Sequence, residues 1–442
     1  MPTAKSDEGL KHVIGVPGLT LAIVNGVIGA GIFALPAIVS IEMGAFGVFG
    51  YIFCSIMLAA IMLCYAEIGS RVATSGGSYA YVEAAFGNFP GYIVNWLYFF
   101  GWSILSSAAL MNIIADSLAV LFPAFANPLI RGVFFFVLVS FMILINILGA
   151  KQGIGLVKMI TVIKLLPLFG IIIFGFRYVK SSNLHWEHIP SLKTFGDTML
   201  VLFFAFAGFE TSLGTSGEFK NTKRTVPLSI GLAGIIVLIV YMLLQTVIQG
   251  VLGAQMSQFK DAPLAAVADR IIGPLGATIL LISAAFSCFG NVTADILATP
   301  RSLFAGANDG IFPKFLGKVH PKFATPYLAV ITYGSLIFIF SISGGFKQLA
   351  VLASAAILLV YLAVILSTIK LRMKKRDENE KTFRAPGRLI TPLIGIAAII
   401  WLLTSLSKWE ILSTLIFIAA ICVFYFSMMW IKSKSTAISL QK

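Results

Sequence analysis

Few residues in this sequence are equipped for chemistry, and those few stand in apolar surroundings. Lys164 lies between Ile163 and Leu165 in VKMITVIKLLPLFG, and Glu210 closes FFAFAGFE (203–210). Asp116 and Asp295 also fall inside apolar runs. A charge in such a setting must find a partner, change protonation or hold a ligand. Two weak stretches of backbone accompany these side chains. The run NGVIGAGIF (25–33) carries Gly26, Gly29 and Gly31, with Pro36 just beyond. Each glycine weakens a helix by up to ~1 kcal/mol relative to alanine. The second run contains Gly208, and Gly214 and Gly217 follow it. A helix interrupted there offers free amides at one broken end and free carbonyls at the other. The first run is not GxGxxG and no strand precedes it, so dinucleotide binding is set aside. Close packing of helices through small residues is the plain alternative for it.

Residues that make catalytic or metal centres do not converge. His12, His185, His188 and His320 are scattered over links and tails, and His185 and His188 read as incidental loop residues. Cys54, Cys64, Cys288 and Cys422 lie in apolar runs, where thiols act as small packing residues. Neither a disulfide framework nor a metal site follows. A membrane enzyme would gather His, Asp, Ser or metal ligands near one face, and a channel would show filter-like repeats. The sequence shows neither, and no cofactor is expected.

The elements that position these residues follow from composition. Of 442 residues, 58% are hydrophobic and 11% charged, so lipid must be the solvent for most of the chain. Apolar runs of about 20 residues recur throughout, each long enough to cross a ~30 Å hydrocarbon core as a helix. Twelve spans are expected, at 15–39, 45–68, 90–121, 131–149, 156–177, 197–219, 228–253, 273–298, 326–343, 348–370, 390–407 and 411–431. An even number puts both termini on one side. With that side cytoplasmic, it receives 23 of the 32 Lys and Arg residues, the other side 8, and Lys164 stays within a span. The positive-inside rule therefore expects cytoplasmic termini.

The net charge of +14 sits in short links rather than in a basic domain, so nucleic acid is not an expected partner. The segment KLRMKKRDENEKTFRAPG (370–387) reads as a solvated cytoplasmic loop, with attraction to anionic headgroups as the sharper alternative. The N-terminal residues, Asp7 and Glu8 among them, do not read as a cleaved signal peptide.

The two weak runs occupy the first and sixth spans. They therefore head two consecutive blocks of five helices, and an odd number per block makes the second enter from the opposite side. An inverted repeat with first helices broken near the bilayer midplane has this arrangement. Its breaks would offer amides to a carboxylate and carbonyls to an ammonium. An α-amino acid zwitterion carries one of each.

Five motifs in order then show a family resemblance: GAGIFALP in span 1; YAEIGSRVATSGGSYAYVEAAFG after span 2; FFAFAGFE with GEFKNTKRTVPLSI around span 6; ANDGIFPKFLGKVHPKFATP after span 8; and FRAPG before span 11. Over about residues 14–390 the sequence resembles the amino acid–polyamine–organocation (APC) permeases. The resemblance implies an all-α integral membrane fold of about 12 transmembrane helices in one permease domain. It comprises a LeuT-like 5+5 inverted repeat (about 15–177 and 197–370) with discontinuous helices 1 and 6, plus a C-terminal helix pair (about 390–431).

The resemblance also implies roles. Backbone at Gly29, Ala30 and Gly31 would hold the substrate carboxylate, and carbonyls of Val27, Phe204 and Ala207 the ammonium. Ile28 and Gly208 belong to the same breaks, and Phe204 would close over the substrate. Many members carry Ser where this chain has Ala30, so one hydroxyl contact is missing. Lys164 matches a lysine that replaces the sodium ion of distant symporters and exchanges a proton during transport. Snorkelling to the cytoplasmic face is its structural alternative, a role given instead to Lys158. Glu210 has two readings, proton handling or a backbone hydrogen bond across the break.

Candidate pocket walls are Ser103, Ser106, Ser107, Phe206, Ser283, Ser287, Asn291 and Ser354, with Ser103, Phe206 and Ser287 in the expected binding set. Neither Asp116 nor Asp295 is placed in the pocket, which leans the expectation towards neutral or broad substrates. The expected function is secondary active transport of amino acids, coupled to protons, across a bacterial plasma membrane. Exchange of amino acids or polyamines, and a non-transporting amino acid sensor, stand as alternatives. Expected partners are the amino acid, protons and membrane lipid.

Overall fold

The computed structural model describes residues 14–29, 31–72, 77–148, 153–186, 189–213, 220, 222–308, 312–373 and 383–440, without the side chains of 153–163, 222–223, 302, 305 and 431–440. Ala30, His188, Gly214, Gly217, the side chain of Lys158 and much of the 370–387 loop lie outside the described residues. Among the described residues the chain is helical and forms no sheet.

The first apolar run forms α1 (Val16–Val27) and α2 (Gly31–Met43), separated at the glycine-rich run. Then come α3 (Gly47–Arg71), α4 (Gly77–Phe86) and α5 (Asn88–Trp96), the last two meeting at Gly87. A π-helical stretch, Leu97–Ser103, joins α5 to α6 (Ile104–Leu121). Next are α7 (Pro128–Leu148) and α8 (Gly153–Gly175). The sixth run is again in two pieces, α9 (Leu192–Phe203) and α10 (Phe209–Leu213). The rest comprises α11 (Thr222–Leu252), α12 (Pro263–Ile272), α13 (Pro274–Asn308), α14 (Tyr327–Ser343), α15 (Phe346–Met373), α16 (Ile390–Thr404) and α17 (Lys408–Leu440).

Among the described residues, seven helical stretches are long and apolar enough to cross a membrane, and Val16–Val27, Tyr327–Ser343 and Ile390–Thr404 are shorter apolar helices. The chain is a multi-pass membrane protein. Large apolar side chains such as Phe136, Val137, Leu415 and Val423 are exposed on α7 and α17, a surface suited to hydrocarbon and not to water. Three expectations need adjustment. The first span runs on to Met43, and the links at 69–89 and 254–272 contain the additional helices α4 and α12. Each of these helices is ten residues long, too short to cross a membrane.

The packing is organised in matching pairs. Helix α3 packs on α11, α6 on α13 and α7 on α14, while α1 packs on α10 and α2 on α9. The two broken helices therefore run antiparallel. Small residues let backbones approach elsewhere too: a Cβ at Gly101 would stand 2.7 Å from that of Ala356 on α15. Helix α16 lies against α3 and α15, and α17 against α5 and α15.

One ionic knot ties the far end of this bundle. The Glu67 carboxylate, fully buried at the end of α3, accepts from Arg71 (2.5 Å), from both Arg372 Nε (2.8 Å) and Nη2, and from the Ala385 amide (2.9 Å). Arg372 also donates to the Arg388 carbonyl. The FRAPG segment is thus held to the ends of α3 and α15. Removing one member of a buried ionic group costs about 3–5 kcal/mol. Glu67→Gln should therefore lower the melting temperature of the detergent-solubilised protein sharply, whereas Lys193→Ala, which breaks an exposed pair with Asp197, should leave it nearly unchanged. Equal melting of Glu67→Gln and wild type would contradict this.

Candidate functional site

The site is built where the two interrupted helices touch. A Cβ at Gly208 would stand 3.2 Å from the Gly26 carbonyl, and one at Gly31 would stand 3.1 Å from Ala205 Cα. Gly208 also adopts φ +111°, a conformation that side chains of the L series rarely take. These glycines let two backbones meet at both ends of the breaks.

Each break leaves carbonyls without helical partners, and the structure supplies most of them. At the end of α1 the Val24 carbonyl accepts from the Ile28 amide (2.8 Å), and the Val27 carbonyl from the Gly29 amide (2.6 Å). The Asn25 carbonyl accepts from Lys164 Nζ at 2.7 Å. At the end of α9 the amides of Phe204, Ala205 and Phe206 bond three residues back, at 3.1, 3.0 and 3.0 Å, which tightens the last turn. Tyr241 on α11 then joins the two breaks. Its hydroxyl lies 2.9 Å from the Val27 carbonyl and 2.8 Å from the Ala205 carbonyl, one proton shared between them. The first amides of α2 remain aimed at the gap, as at any helix N-terminus.

The charged residues sit at the edges of this gap. Lys164 is 1% exposed, so its ammonium does not snorkel to a membrane surface. Glu210 accepts from the Gly208 amide (3.1 Å) and from Tyr361 (2.5 Å) with one carboxylate oxygen, and its other oxygen has no partner among the described residues. Glu210 thus closes a local turn onto the Gly208 amide and leaves one oxygen unengaged among the described residues. Asp295, half-buried on α13, takes Ser107 at 2.8 Å and, more loosely, Ser103 at 3.5 Å. Its charge lies within range of Tyr98 and Glu210. Asn291 stands one turn earlier, its amide 3.1 Å from where a Gly29 Cβ would be.

Among the expected residues, Val27, Ile28, Gly29, Gly31, Phe204, Ala207, Gly208, Lys164 and Glu210 gather at the breaks, while Ala30 lies outside the described residues. Phe204 sits between Trp102 (centroids 5.6 Å apart) and Phe346 (5.7 Å). Ser103 bonds Tyr333 (2.6 Å), and Ser106 bonds the Ser103 carbonyl of its own helix (3.1 Å). Ser283, Ser287 and Ser354 are buried, and the hydroxyls of Ser287 and Ser354 have no partner among the described residues. Phe206 is not on the Asp295 side: it packs on Tyr51 and Tyr241 between α3 and α11. Asp116 is also elsewhere, paired with Arg131 at 2.7 Å.

Sequence reasoning did not place Asp295 in the pocket; the structure sets it one turn from Asn291, bonded to Ser107 and Ser103. The signal was available, since Ser103 and Ser107, like Asn291, Asp295 and Thr299, recur at four-residue spacing and so share a helix face. Tyr241 carried a fainter signal, as a lone phenol in an apolar span must find an acceptor.

The sequence profile described as amino acid permease matches residues 14–439. The chain is 27% identical over 434 residues to the serine/threonine exchanger SteT of Bacillus subtilis, covering 95% of this chain and 97% of that protein. It is 25% identical over 438 residues to the branched-chain amino acid permease BcaP of the same organism (95% and 93%). To the b(0,+)-type amino acid transporter 1 of Mus musculus it is 25% identical over 444 residues (97% and 90%).

Tyr241→Phe tests the brace without disturbing its ring contacts. Leaving two buried carbonyls short of a donor should cost about 1–3 kcal/mol. A clear fall in the melting temperature of the purified protein is expected, and wild-type melting would show that the carbonyls have other donors.

Proposed function

Because the chain belongs to the amino acid permease family, we propose that it is a secondary active transporter that binds an α-amino acid at the two helix breaks and moves it by alternating access across a plasma membrane. The observation that carries this reading is the meeting of the breaks at Gly26–Gly208 and Gly31–Ala205, which sets the amides of α2 beside the loosened carbonyls of α9. The substrate carboxylate goes to backbone at Gly29–Gly31 and the ammonium to carbonyls at Val27, Phe204 and Ala207. With the Val27 carbonyl already taking Tyr241, the share of Phe204 and Ala207 is the larger one. Phe204, held between Trp102 and Phe346, closes over the substrate.

An inverted pair of five-helix repeats is the frame that fits this motion. The antiparallel broken helices and the pairing of α3 with α11, α6 with α13 and α7 with α14 support it. The basic residues in the links support cytoplasmic termini. Membrane lipid surrounds the bundle, and nucleic acid has no place in the reading.

Lys164 is the proposed coupling residue. Its ammonium fastens α8 to the end of α1, and loss of the proton would release the Asn25 carbonyl and free α1 to move. Burial without a carboxylate partner among the described residues makes the lysine a group that can surrender that proton. Glu210, with one oxygen unengaged, is the second proton-handling candidate. Asp295, Ser107 and Asn291 form a polar wall suited to a substrate side chain that donates a hydrogen bond. We therefore favour small hydroxylated amino acids, with cationic ones as the alternative that Asp295 permits. Exchange is a second reading, favoured by an ammonium fixed in place where an ion would otherwise cycle.

The test is uptake of a radiolabelled amino acid mixture into liposomes holding the purified protein, with and without an inward proton gradient, beside Lys164→Ala. Stimulation by the gradient, lost in the variant, is expected. Uptake that needs internal amino acid and ignores the gradient would establish exchange, and no flux under either condition would leave a sensor.

A further inference from the structure

At the end of the bundle opposite the Glu67 knot, several cations have carboxylates of their own. Arg131 pairs with Asp116, Lys193 with Asp197 and Lys347 with Glu42. Lys180 and Arg270 differ, since neither has a carboxylate partner among the described residues. Both line one cavity of about 410 Å³, together with Tyr178, Val251 and Gln255. Asp269, next to Arg270 in the chain, does not line it.

The walls of this cavity are held in place. Arg270, half-buried at the end of α12, donates to the Val251 carbonyl (2.5 Å) and to Gln255 Oε1. Its guanidinium also lies 6.0 Å from the Phe259 ring centroid. A guanidinium carries five N–H donors, so this clamp leaves part of its fork for a ligand. Lys180 approaches from the chain after α8, where its amide bonds the Gly250 carbonyl at 3.0 Å. That chain comes so close to α11 because residue 250 is glycine: a Cβ there would stand 2.6 Å from Val179 Cγ1. The Tyr178 hydroxyl is only loosely engaged, 3.4 Å from the Ile271 carbonyl. Two cations and a phenol around one cavity, with no carboxylate lining it, suit an anion with several oxygens.

The surroundings indicate which anion. Ile173 and Phe174 near the end of α8, and Ile272 and Leu275 where α12 meets α13, are between 60% and 68% exposed. The two groups adjoin, because a Cβ at Gly175 would stand 3.5 Å from Ile271 Cδ1. Such a surface suits hydrocarbon, and Tyr178 stands beside it as aromatic residues do at a membrane interface. A free anion in water would leave these apolar side chains bare. A phospholipid would set its phosphate among the cations and its acyl chains along them.

We propose that Lys180, Arg270 and Tyr178 form a site for the phosphate of an anionic phospholipid, whose acyl chains lie against Phe174 and Ile272. With cytoplasmic termini, the lipid belongs to the outer leaflet. Its headgroup bridges the chain after α8 to α12, and α12 in turn packs on α2 and α13. The lipid therefore braces the second half of the first broken helix from outside, whatever the breaks themselves bind.

Native mass spectrometry of the full chain in neutral detergent tests this, with phosphatidylglycerol and phosphatidylcholine as probes and inorganic phosphate as competitor. One phosphatidylglycerol should bind more tightly than any phosphatidylcholine. Lys180→Gln should weaken it about tenfold or more, as expected for the loss of a charged hydrogen bond. Lys180→Arg should retain it, and Lys193→Gln, at an exposed lysine of the same end, should leave it unchanged. Arg270→Gln should weaken it as well, and its melting temperature without lipid reports the separate cost of losing the Val251 and Gln255 bonds. Equal binding of the two lipids, or wild-type affinity for phosphatidylglycerol in Lys180→Gln, would overturn the proposal. Displacement by equimolar inorganic phosphate would assign the cavity to the free anion and overturn the lipid.

Discussion

Backbone that leaves helical geometry inside hydrocarbon has no water to bond, and the centre of this protein is arranged around that constraint. The sequence breaks two helices at the same depth, where each unpartnered group costs several kcal/mol. The structure answers with two side chains from other helices, on α11 and α8, and one from the sixth run itself. Tyr241 serves a carbonyl of each break, Lys164 serves α1, and Glu210, held by Tyr361, serves the Gly208 amide. None of these is a generic packing contact. Tyr241 and Lys164 bind loosened backbone groups to other helices, and Glu210 binds one within its own run while Tyr361 holds it to α15.

That arrangement links stability to function. A break fully satisfied by its own chain would be inert, and one left bare would not fold. Here the donors suffice to hold the backbone, while the α2 amides stay directed at the gap. The same economy shows in the charges. Lys164 is buried against a carbonyl, with no carboxylate partner among the described residues. Glu67, by contrast, is bound by two arginines and an amide and serves only to lock the loop after α15. Buried ionisable groups in one chain thus divide into a set bound to backbone and hydroxyl groups at the breaks and an ion-paired set at the bundle end.

Much of this was legible in the sequence. Apolar run length revealed the helices, because hydrocarbon thickness allows few alternatives. Glycine density marked both breaks, and the isolation of Lys164 and Glu210 marked their importance. What escaped had weak local signals. Helices α4 and α12 are only ten residues long each, too short for a span-length window to detect. Tyr241 looks like any aromatic in an apolar span until its hydroxyl is seen to reach two carbonyls from distant segments. Phe206 shares its run with Phe204 yet turns the opposite way, since residues at the end of a helix that tightens and then unwinds do not keep a helical face. Asp295 needed the register of α6 against α13, which spacing within either helix suggests but cannot fix.

The central claim is that the two breaks together recognise both charged ends of one amino acid. Competition binding with the purified protein tests it directly: displacement of a bound radiolabelled amino acid by the same unlabelled amino acid, by its N-acetyl derivative, by its methyl ester and by its decarboxylated amine. Only the free zwitterion should displace the label effectively, with each blocked form weaker by tenfold or more, as follows from losing about 1.5–3 kcal/mol of charged hydrogen bonding. Equal displacement by the amine would contradict the account, since it would leave the amides of α2 without a role.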